Sequence, residues 1–138
     1  APVLEHYTTI TAQGEDGQER TGFVCYSLGN FISSQTKERT ETTAILRLTL
    51  HKDLVANQTT VQAVDYIPCY MLNRGNDCEG NQFYLLDTHA AMEEYESGSS
   101  ELVTSKVYSA LERSLAHAHS ILGEEGDFRS ASAEEQPQ

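Results

Sequence analysis

The stretch Phe23-Val24-Cys25-Tyr26-Ser27-Leu28-Gly29-Asn30-Phe31 decides how this chain folds. Its first six residues are nearly continuous apolar sequence without a charge, a pattern typical of a strand that is buried on both faces. Gly29 then allows the backbone to turn sharply, or another group to approach it closely. The sequence therefore predicts an inner strand over residues 23–28 that ends in a turn at Gly29 and Asn30.

Strand-like sequence also lies upstream of this stretch. Residues 2–10 alternate loosely and are rich in β-branched and aromatic side chains, which predicts a strand. The polar segment 13–18 carries two glycines and predicts a hairpin between the two strands. Downstream, residues 31–43 are rich in serine, threonine and charged side chains, and they predict a long loop.

Three further strands are expected before the helices. Residues 44–50 alternate strictly, with leucine at every second position from Leu46, and a turn over residues 53–58 separates them from a strand over residues 61–70. Pro68 has no backbone N–H, which argues that the end of this strand lies at an edge or a bulge. Residues 82–86 predict a short last strand.

Two helices are expected to close the chain. Asp87 or Thr88 can cap a helix that extends to Tyr95, and a Gly-Ser-Ser sequence then interrupts it. A last helix over residues 101–122 carries one apolar stripe at helical spacing, and Gly123 ends it. The stripe consists of Val103, Val107, Leu111, Leu115, Ala118 and Leu122.

Strands followed by helices, without an internal repeat, indicate an α+β fold: a mainly antiparallel sheet with C-terminal helices. One amphipathic helix covers a single face of a sheet, so the inner strand needs a second cover from residues outside this chain or from another subunit.

Residues 1–123 form the expected domain. Residues 124–138 are predicted to be a disordered acidic tail because Phe128 is their one large apolar side chain, and deleting residues 126–138 is expected to leave stability nearly unchanged.

The composition excludes some classes of function. Acidic residues number 21 against 9 basic ones, and the net charge of −12 repels phosphate backbones, so nucleic-acid binding is not expected. The sequence contains no membrane span, because no apolar run approaches the roughly 20 residues that cross a bilayer. Ala1-Pro2-Val3 begins strand-like sequence without a charged leader, so any export signal or anchor is expected upstream.

The cysteine spacing leaves two interpretations open. Cys25 lies in the apolar stretch and is expected to be a small buried hydrophobe. Cys69 and Cys78 flank a turn-rich segment, and they either close a small disulfide loop in an oxidising compartment or remain two free thiols. The sequence has no Cys-x-x-Cys spacing, which argues against a zinc site built from these cysteines.

The histidines do not predict a metal site. His117 and His119 are two residues apart on the last helix, so they point to different sides of it and cannot share an ion there. His6 and His51 lie on or beside strands without a carboxylate or a cysteine at ligand spacing, and His89 lies at a helix start. Surface or packing roles are expected for all five, and no metal site is expected within this chain alone.

The hexapeptide Tyr26–Phe31, preceded across the predicted hairpin by Pro2-Val3-Leu4-Glu5-His6-Tyr7, resembles the C-terminal part of the CapA/PgsA poly-γ-glutamate capsule-synthesis family. The order of strands and helices is similar over most of residues 2–123. The resemblance implies a calcineurin-like metallophosphoesterase sandwich of two sheets flanked by helices. It also implies a role in assembling a bacterial poly-γ-glutamate or polysaccharide capsule, at the cell surface or in the extracellular space.

The resemblance extends to individual residues. Glu5 matches the strand carboxylate of the family, and Ser27, Gly29, Asn30 and Phe31 match the hexapeptide. Glu5 and Asn30 are expected to lie beside the active site of the whole protein, or else to support the ends of the strands. The divalent metal ions implied for the complete protein would take their ligands from upstream segments, and no cofactor is expected in this chain alone.

Two functions from different classes are compatible with these observations. The first is the C-terminal segment of a capsule-biosynthesis protein, which would contact the N-terminal remainder of the same protein or another subunit. The second is a non-catalytic surface module that binds partners in the capsule-assembly machinery. Whether the segment takes part in catalysis stays open at this point.

Overall fold

The computed structural model describes residues 2–129, which form two antiparallel sheets and two α-helices. This architecture confirms the α+β class. The strands are β1 (Tyr7–Gln13), β2 (Glu19–Cys25), β3 (Thr42–Asp53), β4 (Gln58–Asn73) and β5 (Phe83–Asp87). The helices are α1 (Thr88–Glu96) and α2 (Ser105–Leu122), followed by a short 3-10 helix over Glu124–Gly126.

The first sheet is the predicted hairpin. Strands β1 and β2 pair in register from Tyr7 opposite Cys25 to Gln13 opposite Glu19, and the polar turn joins them. The strand expected over residues 2–10 begins only at Tyr7, because upstream of it Leu4 makes a single antiparallel bridge to Leu28.

The prediction that residues 23–28 form a strand buried on both faces is wrong. Within the described residues β2 pairs with β1 alone and ends at Cys25, and both Tyr26 (53% exposed) and Leu28 (38% exposed) face solvent. An uninterrupted apolar run does not distinguish a central strand from a two-stranded ribbon beside the main sheet, because both favour the same side chains. The expectation of a second cover for this strand, which rested on its burial on both faces, therefore loses its basis.

The second sheet has the order β3-β4-β5 and confirms the three strands expected between residues 44 and 86. Strand β4 is its centre, and its pairing with β5 stops where Cys69 lies opposite Asp87. Pro68 is therefore the first residue of β4 beyond β5. Its partner Ala44 donates its N–H to Leu28 rather than to β4, so the proline nitrogen faces the open side of the strand. The missing N–H thus removes no hydrogen bond from the ladder.

The helices pack on one face of this sheet. Asp87 accepts a hydrogen bond from the N–H of Ala90 (3.1 Å) and caps α1 as predicted, and α2 ends at Gly123, whose φ is 85°. Helix α2 begins four residues later than expected, because Thr104 caps it by accepting from the N–H of Val107 (3.3 Å). The core consists of two clusters: Leu4, Ala44, Tyr66, Ala118 and Leu122, and Ala91, Val103 and Leu111.

The prediction of a disordered tail over residues 124–138 is wrong for its first part. Residues 124–126 form the 3-10 helix, Asp127 is fully buried and bridges to Tyr66 of β4, and the Phe128 ring lies 4.3 Å from the guanidinium carbon of Arg47. A polar segment can be buried when its polar groups find partners, which composition alone does not show. Residues 130–138 lie outside the described residues.

Cys69 and Cys78 are free thiols in the structure, and we expect them to react with alkylating reagents at very different rates. Burial raises the pKa of Cys69 to about 11, and its side chain is only 2% exposed. At pH 8 about one in a thousand Cys69 side chains would be a thiolate, the reactive form. Mass spectrometry after iodoacetamide treatment should show Cys69 modified at least about 100-fold more slowly than the half-buried Cys78.

Equal alkylation rates in the folded protein would contradict the burial of Cys69. The disulfide alternative has a distinct signature, because both cysteines would then resist the reagent until a reductant is added. Unfolding in denaturant is the control, since it should make all three thiols react alike.

Candidate functional site

Two histidines and one aspartate meet at the C-terminal end of the described chain. The Nε2 atom of His89 lies 2.6 Å from Oδ2 of Asp127, and Nε2 of His119 lies 2.8 Å from the same oxygen. The three ligand atoms all lie within 4.8 Å of one another. Both imidazoles therefore converge on one carboxylate oxygen.

Each of the three side chains is placed by a different element. His89 is the second residue of α1, where the Asp87 cap fixes the start of the helix, and His119 lies in the last turn of α2. The left-handed backbone of Gly123 turns the chain back toward β4. Tyr66 then holds the turn, because its hydroxyl donates a 2.7 Å hydrogen bond to the Gly123 carbonyl. Asp127 follows one turn of 3-10 helix later.

The electrostatics of the cluster keep the buried carboxyl group ionised. Burial alone would raise the pKa of Asp127, but hydrogen bonds from His119 and His89, and one from the N–H of Arg129 (3.1 Å), lower the pKa below its ordinary value. A carboxylate only accepts hydrogen bonds, so both imidazoles carry a proton on Nε2 in this arrangement. The side chains of His89 and His119 remain 21% and 22% exposed, whereas that of Asp127 is fully buried.

The sequence carries no local signal for this cluster. His89 and His119 are thirty positions apart in the sequence, and Asp127 falls in a segment whose composition predicts disorder. His117, two positions before His119 on α2, is not one of the three residues of the cluster. The one weak indication in the sequence is that Asp127 follows eight residues after His119, which lies near a predicted helix end.

The residues singled out by the family resemblance form a second group at the base of the hairpin. The N–H of Glu5 donates to the Ser27 carbonyl (2.9 Å), and the Ser27 hydroxyl accepts from the N–H of Gly29 (3.2 Å). The amide of Asn30 donates to Gln35 (2.7 Å), and Phe31 is 62% exposed. Glu5 and Ser27 are thus brought together through the backbone, as the hairpin prediction requires.

Comparisons with known proteins assign the chain to no family. No protein-family model, curated protein or solved structure matches it. Among residues 2–129, no helix has the length and apolar character needed to cross a membrane.

Proposed function

We propose that this chain is the C-terminal segment of a bacterial capsule-biosynthesis protein (poly-γ-glutamate or polysaccharide) with a metallophosphoesterase-like fold. The observation that carries the proposal is the backbone of Gly29 within the hexapeptide Tyr26–Phe31. Its φ is +79°, and a Cβ atom at this position would lie 2.6 Å from the carbonyl oxygen of Thr42. Position 29 of the hexapeptide therefore needs a glycine, both for its backbone angle and for the close approach of β3.

The hexapeptide joins the hairpin to the main sheet. The carbonyl of Leu28 accepts hydrogen bonds from the N–H of Ala44 (3.2 Å) and from the hydroxyl of Thr43 (2.6 Å). These contacts hold the end of the hairpin against the start of β3, and Gly29 lets the two backbones approach. The hexapeptide thus joins the hairpin to the main sheet, which supports a structural role for this motif in the proposed fold.

Ser27 and Asn30 shape the strand end in this proposal. The Ser27 hydroxyl accepts a hydrogen bond from the N–H of Gly29. The Asn30 side chain donates to Gln35 and to the carbonyl of Thr40 (3.3 Å), and these bonds stabilise the loop before β3. The metal ligands would come from upstream segments, because two-metal hydrolysis needs clustered aspartate, histidine and asparagine side chains. The metal ions held there would activate the attacking water.

Exposed apolar side chains mark where the remainder of the protein would pack. Phe31 and Ile32, directly after the hairpin, are 62% and 53% exposed, and Ile45 on the face of β3 opposite to α2 is 43% exposed. Large apolar side chains that are exposed to water favour burial against another protein surface. In this proposal the N-terminal part of the same protein supplies that surface.

The coding sequence upstream of Ala1 tests the assignment most directly. It should encode Asp-x-His, Gly-Asn-His and His-x-His segments, whose clustered side chains would supply the metal ligands. An upstream sequence without them would overturn the assignment to this fold.

We expect the substitution Phe31→Ser to destabilise the complete protein far more than the isolated chain. In the isolated chain Phe31 is largely exposed, so the change in unfolding free energy should stay within about 0.5 kcal/mol. If the remainder of the protein buries this ring, the loss should reach about 3 kcal/mol. Denaturant melts of both forms, with Leu54→Ser as the matched control on an 84% exposed leucine, measure the difference. Equal effects of Phe31→Ser in the two forms would contradict the proposed packing.

The alternative, a non-catalytic surface module of the capsule-assembly machinery, is favoured by one observation. The side-chain NH2 group of Asn30 donates to Gln35 and to the carbonyl of Thr40, which gives Asn30 a structural role in the loop before β3. In this alternative the complete protein would not hydrolyse a model phosphoester in the presence of manganese. Turnover that disappears when an upstream ligand is replaced would exclude it.

A further inference from the structure

We propose that His89, His119 and Asp127 bind one divalent transition-metal ion of the zinc type, which fastens the C-terminal segment to both helices. This inference does not depend on the capsule assignment, because every ligand lies within the described residues.

The chemistry of the donors selects the class of ion. Two imidazole nitrogens and one carboxylate oxygen are a donor set that zinc and its neighbours in the first transition row accept, often with a water in the remaining position. Magnesium and calcium prefer sites made of oxygen atoms. The site should therefore take zinc or cobalt and reject magnesium.

The distances between the nitrogen and oxygen atoms lie close to those of a zinc site. Zinc bonds of about 2.0–2.1 Å in a tetrahedron place neighbouring ligand atoms about 3.3 Å apart. Both nitrogens lie slightly closer than this to Oδ2 of Asp127, at 2.6 and 2.8 Å. The two nitrogen–oxygen pairs need to open by roughly 0.5–0.7 Å, which small side-chain rotations achieve. Each imidazole would bind the ion as the neutral tautomer that carries its proton on Nδ1 and leaves Nε2 free as the donor.

The surroundings favour a cation. The N–H of Arg129 occupies Oδ1 of Asp127, which orients the carboxylate and leaves Oδ2 toward the two imidazoles. Glu124 and Glu125 immediately precede the site, and the chain carries a net charge of −12, which attracts cations. The partly exposed imidazole edges give the ion a way in, whereas the carboxylate lies fully buried behind them.

Metal binding would link three separate parts of the fold. His89 lies in the first turn of α1, His119 lies in the last turn of α2, and Asp127 lies in the segment that bridges to β4. An ion that binds the folded chain alone shifts the folding equilibrium by about 100-fold when its concentration is 100 times the dissociation constant. The expected role is therefore to keep the C-terminal segment in place.

The test uses the purified chain, stripped with a chelator and titrated with zinc or cobalt. We expect one ion per chain, and cobalt should give the intense visible absorption of a tetrahedral nitrogen–oxygen site. His89→Gln and His119→Gln each remove a metal ligand and should weaken binding by at least about 100-fold, since loss of even a hydrogen-bond partner of a ligand costs about 10–100-fold. His117→Gln, two positions away on the same helix as His119, is the matched control and should bind like the wild type.

A second measurement does not depend on the variants being folded. In NMR spectra of the wild-type chain, zinc should shift the imidazole signals of two of the five histidines at a 1:1 ratio. Failure to bind zinc at a 1:1 ratio, or an equal loss of affinity in His117→Gln, would overturn the proposal. The cluster would then be a hydrogen-bond network that holds the segment without a metal.

Discussion

Replacing Gly29 by alanine should lower the free energy of unfolding by roughly 3 kcal/mol. Part of this loss comes from the backbone, because an L-residue at a φ of +79° is strained. The rest comes from packing, since the added Cβ would lie 2.6 Å from the Thr42 carbonyl and 3.3 Å from the Cα of Thr43. Both neighbours are backbone atoms of β3, so they cannot move aside as a flexible side chain can. Valine at this position should lower the free energy of unfolding further than alanine does.

Gly75 provides the matched control for this prediction. Its φ of +83° is nearly the same, but an added Cβ there would meet no atom within 4 Å. Gly75→Ala should therefore show the backbone strain alone, about 1 kcal/mol. Urea melts of the two variants measure the difference. If the two variants lose the same free energy of unfolding, the close approach of the hexapeptide to β3 does not exist in solution.

Ending the chain after Gly126 instead of after Arg129 should destabilise the protein by about 2–4 kcal/mol. The three residues in question include the fully buried Asp127, whose hydrogen bonds to His89 and His119 would be lost. The contact between Phe128 and Arg47 would be lost as well and is worth about 0.5–1 kcal/mol. This expectation replaces the sequence-based one, in which deleting residues 126–138 leaves stability nearly unchanged.

The two truncated chains should be compared by urea melts in the presence of a chelator, so that metal binding does not contribute. Asp127→Ala in the full chain should reproduce most of the loss, whereas Asp77→Ala, at an exposed position, should leave the melt unchanged. Identical melting curves for the chains ending at Gly126 and Arg129 would show that the segment is not fixed in solution.

Much of the fold could be predicted because its signals are local. The strict alternation of residues 44–50, the Asp87 cap and the Gly123 stop each depend on a few neighbouring residues, and all three lie where they were expected. Two errors share a physical cause. Residues 23–28 and Asp127 were assigned from composition, but burial depends on what packs against a segment.

The sequence by itself determined the strands and helices of this protein, their order, and that the chain turns sharply or is closely approached at Gly29. These follow from backbone geometry, side-chain periodicity and capping, which act over one to a few residues. Only the tertiary structure decided that β2 lies in a ribbon beside the main sheet. It alone brought His89, His119 and Asp127 to one point, because contacts between residues far apart in sequence are set by packing, which no local pattern encodes.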